Sequence, residues 1–153
     1  MFSLSFKRTV FIILSMMMLS ACGEKEEGLG RYGMLHENTP EYTAVKFMQS
    51  IYLEPDISQA VALSTNRLAR ILRSYHTNSN VQRHVMNLKF DSVVITPEGG
   101  GKVGRSQFSD KATITLFFSG EVDDERREDL RRVELIKENG TWKVSRIHPD
   151  HFM

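Results

Sequence analysis

A single cysteine, Cys22, rules out any disulfide closed within the 153-residue chain and any cysteine cluster that would hold a metal. No charge of one sign dominates either: 20 Lys and Arg stand against 19 Asp and Glu. Nucleic-acid binding calls for a clustered basic footprint, which this balance does not supply, so no nucleic-acid partner is expected. Apolar runs of membrane-spanning length are missing as well. Val10–Leu19 stops well short of the about 20 residues a spanning helix needs. It soon gives way to Gly23-Glu24-Lys25-Glu26-Glu27, which no bilayer core would accept.

Motifs of catalysis are equally scarce. Gly99-Gly100-Gly101-Lys102 is not a phosphate loop, because that motif needs two glycines flanking four residues, then Lys and Ser or Thr opening a helix. Here Val103-Gly104-Arg105 follows, and the next element reads as a strand. His148-Pro149-Asp150-His151 has the right ligand types for a metal, but Pro149 prevents a helix that would align the two imidazoles. A chain end offers no rigid surround for such ligands, so neither a metal nor any other cofactor is expected.

What the chain does have begins at its first residues. Lys7-Arg8 is a basic stretch, Val10–Leu19 an apolar one of signal-peptide length, and Leu19-Ser20-Ala21-Cys22 follows directly. In order and in all four positions this resembles the signal sequence and lipobox of bacterial lipoproteins. The resemblance implies cleavage between Ala21 and Cys22, diacylglyceryl attachment to the Cys22 sulfur and acylation of the new amine. The protein would then sit in the cell envelope, facing the periplasm, with the lipid bilayer as a partner through Cys22. One acyl chain binds a membrane only marginally, whereas several hold it firmly. Gly23, where lipoproteins kept in the inner membrane usually carry Asp, favours the outer membrane. Acylation would also account for a lone cysteine in an exported chain.

Removing residues 1–21 takes Lys7 and Arg8 with it and leaves 132 residues, enough for one domain with a proper core. Residues 22–38 read as the acylated cysteine and a flexible, Gly- and Glu-rich tether; residues 39–148 read as the domain, and 149–153 as a polar tail. Thr39-Pro40-Glu41 carries the marks of a helix start, and Ala44, Val45, Met48, Ile51 and Tyr52 recur on one helical face. Glu54-Pro55 ends that helix and Asp56 caps a second stretch, whose stripe runs through Ile57, Ala60, Val61, Ser64, Leu68, Ile71, Leu72 and Tyr75. Ser64-Thr65-Asn66 either interrupts this stretch or lies within one continuous helix.

The period then changes. Val85–Thr96 reads as a strand ending at Pro97. Across residues 110–121, Ala112, Ile114, Leu116 and Phe118 alternate with polar neighbours. A third strand spans 129–137 with Val133 and Leu135 inward. Asn139-Gly140 signals a two-residue hairpin into Trp142–Ile147, with Trp142 and Val144 inward. Helices followed by an antiparallel sheet define an α+β class. The helix pair around Asp56–Leu63 and the hairpin Val133–Val144 resemble the nuclear-transport-factor-2-like cone fold, helices packed on a curved antiparallel sheet. A cystatin-like sheet wrapped on one helix is the nearest alternative.

Enzymes of the cone-fold superfamily place an acid–base pair in the mouth of the cone, and the corresponding possible pocket residues here are Tyr52, His84 and Asp91. No spacing forces two of them together, so the chain is not expected to be an enzyme. Arg67, Arg70 and Arg73 would lie on and beside the polar face of their helix, where they suit anionic headgroups or an acidic partner. They and the mixed-charge stretch Asp123–Asp129 with Arg131-Arg132 are otherwise ordinary solvated surface. The expectation is a non-catalytic binding module that takes an envelope protein or other envelope component on its concave sheet or its arginine face. Its alternatives are a binder of a small apolar ligand in the cone interior and an isomerase-like or hydrolase-like enzyme. A filled core with an exposed aromatic or arginine patch favours the first, a well-formed apolar cavity the second, and a pocket lined by several titratable groups with perturbed pKa values the third.

Overall fold

The computed structural model describes residues 37–98 and 109–148. The segments read above as signal peptide, Cys22 with its tether through residue 36, Gly-rich turn and C-terminal tail lie outside the described residues.

Helix α1, Pro40–Tyr52, opens where the sequence indicates: Thr39 Oγ1 accepts from the Tyr42 amide at 3.2 Å and Pro40 takes the first helical position. Its inner face buries Ala44, Val45, Phe47, Met48 and Ile51. The carbonyls of its last turn lack helical donors, and side-chain amides from further along the chain supply them. Asn78 Nδ2 donates to Ser50 O at 3.1 Å and to Glu54 O at 2.7 Å, and Gln82 Nε2 donates to Ile51 O at 2.8 Å.

Asp56 starts the next turn of helix, α2 (Ser58–Ala62), by accepting the Ser58 amide at 2.7 Å. That bond, with a weaker one from the Ser58 side chain, holds the Asp56 carboxyl below the usual carboxylate range. The stretch then breaks at Ser64-Thr65, and α3 runs separately from Asn66 to Tyr75. The break has a tertiary cause. Val144 N donates to Leu63 O and Thr65 N to Val144 O, both at 2.9 Å, so this segment forms a short parallel bridge with the last strand. A short helix α4 (Asn78–Val81), capped by Thr77, runs into a π-helical turn at Gln82–Met86 that ends on Asn87 in the left-handed region.

Four strands form an antiparallel meander in the order β1 (Ser92–Pro97), β2 (Lys111–Val122), β3 (Glu125–Glu138), β4 (Thr141–Ile147). Helices pack on one face of this sheet, which makes the domain α+β. The alternation read in β2 holds: Ile114, Leu116 and Phe118 lie inward with Val133 and Leu135 of β3 and Trp142 and Val144 of β4. At the β1 end, Phe90 stacks on Phe118 at 6.2 Å between ring centroids, and Tyr52 meets both edge-on. The chain passes so close there that a Cβ on Gly120 would collide with the Ser92 carbonyl.

Three expectations are corrected. The strand expected from Val85 begins only at Ser92. Val85 and Met86 belong to the π turn, and Leu88 and Phe90 are buried from an irregular segment instead of a ladder. The mixed-charge stretch is a loop only at Asp123-Asp124. Both take positive φ, 51° and 64°, as a two-residue hairpin turn requires, and β3 starts at Glu125. Arg131 is not solvated surface. It pairs across β2 with Leu116, in phase with Val133 and Leu135, and is 3% exposed on the inner face. There Nη2 of Arg131 lies 3.3 Å from Oδ2 of Asp129.

Candidate functional site

Tyr52, His84 and Asp91 have separate surroundings. Tyr52 closes α1 with its ring among the core aromatics and its hydroxyl donating to Leu88 O at 2.9 Å. Burial pushes that hydroxyl well above the ordinary tyrosine range; the Arg131 charge opposes the shift and the Asp129 charge adds to it. His84 is exposed on the π turn and stacks on Tyr75 at 5.8 Å between centroids. Asp91, also exposed, accepts the Asp123 amide on Oδ2 at 2.9 Å and so ties the start of β1 to the β2–β3 turn. Each side chain holds a structural contact of its own: a helix end, a turn and a hairpin.

Arg67, Arg70 and Arg73 are exposed along α3, whose opposite side buries Leu68, Ala69 and Leu72. Arg67 has a further neighbourhood. It lines a cleft of about 540 Å³ between α3 and the β3–β4 hairpin, a volume in the range of small-molecule sites. The Ser64–Val144 bridge builds this cleft. It sets the residues after Ser64 beside those after Val144, running in the same direction, so Thr65–Leu68 face Ser145–Ile147.

The lining divides by chemistry. Leu68, Ile71, Val85, Ile136 and Ile147 supply apolar surface, and Ile71 stands 44% exposed on it. Arg67, Arg146, Glu134 and Glu138 supply charge. Glu134 lies directly across the ladder from Arg146, yet its Oε1 goes to His148 Nε2 at 2.7 Å. A register shift explains the choice: β4 has one extra residue, Ser145, opposite the Glu134–Leu135 step, and the Ser145 hydroxyl bonds Glu134 O at 3.1 Å.

Among the described residues no group of three His, Cys, Asp or Glu is placed to hold a metal ion. None of the described helices is long and apolar enough to cross a membrane. Of the cleft residues, sequence reasoning singled out Arg67 and noted the capping chemistry of Thr65. It missed Arg146 and Glu134, since only the non-local bridge brings the hairpin against α3. The inward place of Asp129 and Arg131 had a signal, the period of two counted back from Val133. No protein-family profile, curated protein or solved structure matches the chain.

Proposed function

We propose that the protein is a lipoprotein of the bacterial envelope, anchored through acylated Cys22 and facing the periplasm. Its α+β domain, read as a cone-type fold, serves as a non-catalytic binding module for an envelope component. The anchor rests on the Lys7-Arg8, Val10–Leu19 and Leu19-Ser20-Ala21-Cys22 succession. The binding role rests on the cleft on the α3 side, where an apolar floor lies open beside exposed arginines. The face between helices and sheet, by contrast, is filled by Phe47, Met48, Leu116, Phe118 and Val133, all fully buried. A filled interior and an open, charged flank suit recognition of something larger than an enclosed substrate. The outer membrane is the favoured location, following Gly23.

A photo-crosslinking residue placed at Ile71 in the full chain, expressed in living cells, tests the binding role. It should capture an envelope component that the same group at Val94, an exposed position on the far strand β1, does not capture. Equal capture at the two positions would remove the α3 flank as the recognition surface.

A further inference from the structure

The N-terminal turn of α3 opens into the cleft with its donors unspent. The first helical bond is accepted by Thr65 O, from Ala69 N at 2.8 Å, so the amides of Asn66, Arg67 and Leu68 have no partner within the helix. A side-chain cap would normally satisfy one of them, but the N-cap Thr65 makes no such bond. Thr65 is 7% exposed and lines the cleft, and among the described residues its hydroxyl makes no hydrogen bond. An unpartnered hydroxyl on a residue more than nine-tenths buried, reaching the cleft, and three amides unpaired within the helix at its positive end form a donor set that suits an anion.

The charges around it agree. Arg67 and Arg146 are exposed at the cleft, and no described carboxylate lies within ion-pair distance of either. Glu134, the acid opposite Arg146, is engaged by His148. Glu138, the other acid of the cleft, is four residues further along β3, about 13 Å at the rise of a strand. The end of the cleft at Thr65 is therefore positive, while Ile71 and its apolar neighbours extend away from it.

We propose that this cleft binds a phosphate-headed lipid. The phosphate is held by the Asn66 and Arg67 amides, the Thr65 hydroxyl and the Arg67 and Arg146 guanidiniums, and the acyl chain lies along Leu68, Ile71, Val85 and Ile147. The lipid source of the ligand rests on the membrane-anchored reading above; the donor geometry does not. A domain tethered near headgroups meets such ligands at high local concentration.

The test uses the full chain with Cys22→Ser, kept free of acyl groups, and follows the backbone amide resonances of Asn66 and Arg67. Dodecyl phosphate, titrated below its micelle concentration, should shift both saturably. Arg67→Gln with Arg146→Gln should weaken this binding about ten-fold or more, on the scale of charge-assisted hydrogen bonds. Both positions are exposed, so the fold is retained. Thr65→Val should weaken it several-fold while Thr65→Ser retains it. Inorganic phosphate should bind at least about ten-fold more weakly, since it leaves the apolar floor empty. Unchanged affinity in the double arginine variant would overturn the site. Equal affinity for inorganic phosphate would overturn the lipid, and an equal response to dodecyltrimethylammonium would overturn recognition of the anionic head. None of these results bears on whether Cys22 is acylated, which the labelling experiment below decides separately.

Discussion

Arg131 and Asp129 sit two residues apart on β3 and point inward, Asp129 across the ladder from Phe118 and both close enough to Tyr52 for their charges to act on its hydroxyl, on a face otherwise built from aliphatic and aromatic side chains. Burying charge is costly unless the charge is paired and hydrogen-bonded, so such a pair weighs most when one member is removed. Arg131→Met keeps much of the apolar stem and takes the guanidinium away from Asp129. The expected loss is about 3–5 kcal/mol, the range for breaking a buried pair, read as a lower urea midpoint at unchanged slope. A loss below about 1 kcal/mol would instead match an exposed pair and would contradict the inward placement. Residue-level reading of the sequence failed here for a definite reason. The run Asp123–Arg132 is so rich in charge that composition indicates solvent, whereas the strand's period, continued backward from Val133, indicates the core. The geometric signal prevails because a strand cannot turn one side chain outward without turning all of them.

At the scale of elements, the two hairpin turns form a natural comparison. Asn139-Gly140 and Asp123-Asp124 both place two successive residues at positive φ. Glycine adopts this region at no steric cost, and asparagine or aspartate at a moderate one. Around Gly140 nothing lies within 4 Å of an added Cβ, so Gly140→Ala changes backbone strain alone. It should cost about 1 kcal/mol, the usual penalty of a left-handed L-residue. Asp124→Gly should act in the opposite direction, gaining roughly 0.5–1 kcal/mol by the same reasoning. Thermal unfolding of the two variants checks both signs, and a stabilising Gly140→Ala would refute the turn geometry. The Asn-Gly turn was legible because it is the strongest short hairpin signal; the Asp-Asp turn was hidden inside a charge run. The alternation of Ala112–Phe118 was legible for the same local reason. Two features were not. The π turn at Gln82–Met86 follows α4 where Gln82 is tied to the end of α1, and the break at Ser64-Thr65 is fixed by a bond to Val144. Both depend on partners some 30 to 80 residues away in sequence, so no local window contains their cause. The cleft inherits this: its α3 wall was partly visible, its β3–β4 wall was not.

At the scale of the whole molecule, the proposed anchor and the proposed cleft are complementary parts of one arrangement. On that proposal, a polar tether of the length read between Cys22 and Thr39 would have a root-mean-square reach of roughly 20–24 Å. A cleft with a positive end and an apolar floor would thus be held within reach of phosphate headgroups, and the exposed Arg70 and Arg73 on the same helix would add attraction to that surface. Such weak contacts act only at short range, because salt screens them beyond about 8–10 Å. On the proposed reading, retention in the envelope would therefore come from the acyl chains. Each buried methylene contributes about 0.8 kcal/mol, and one chain alone gives marginal, reversible binding. Replacing the single cysteine by Cys22→Ser in cells fed an alkyne fatty acid should abolish the label on this chain. The chain should then accumulate as an uncleaved precursor or a soluble form after fractionation, while the folded domain keeps its unfolding midpoint. Label persisting on the serine variant would place the acyl group elsewhere and refute the anchor. Loss of label with the chain still wholly in the membrane fraction as a cleaved form would instead transfer the anchoring role from lipid to the arginine face.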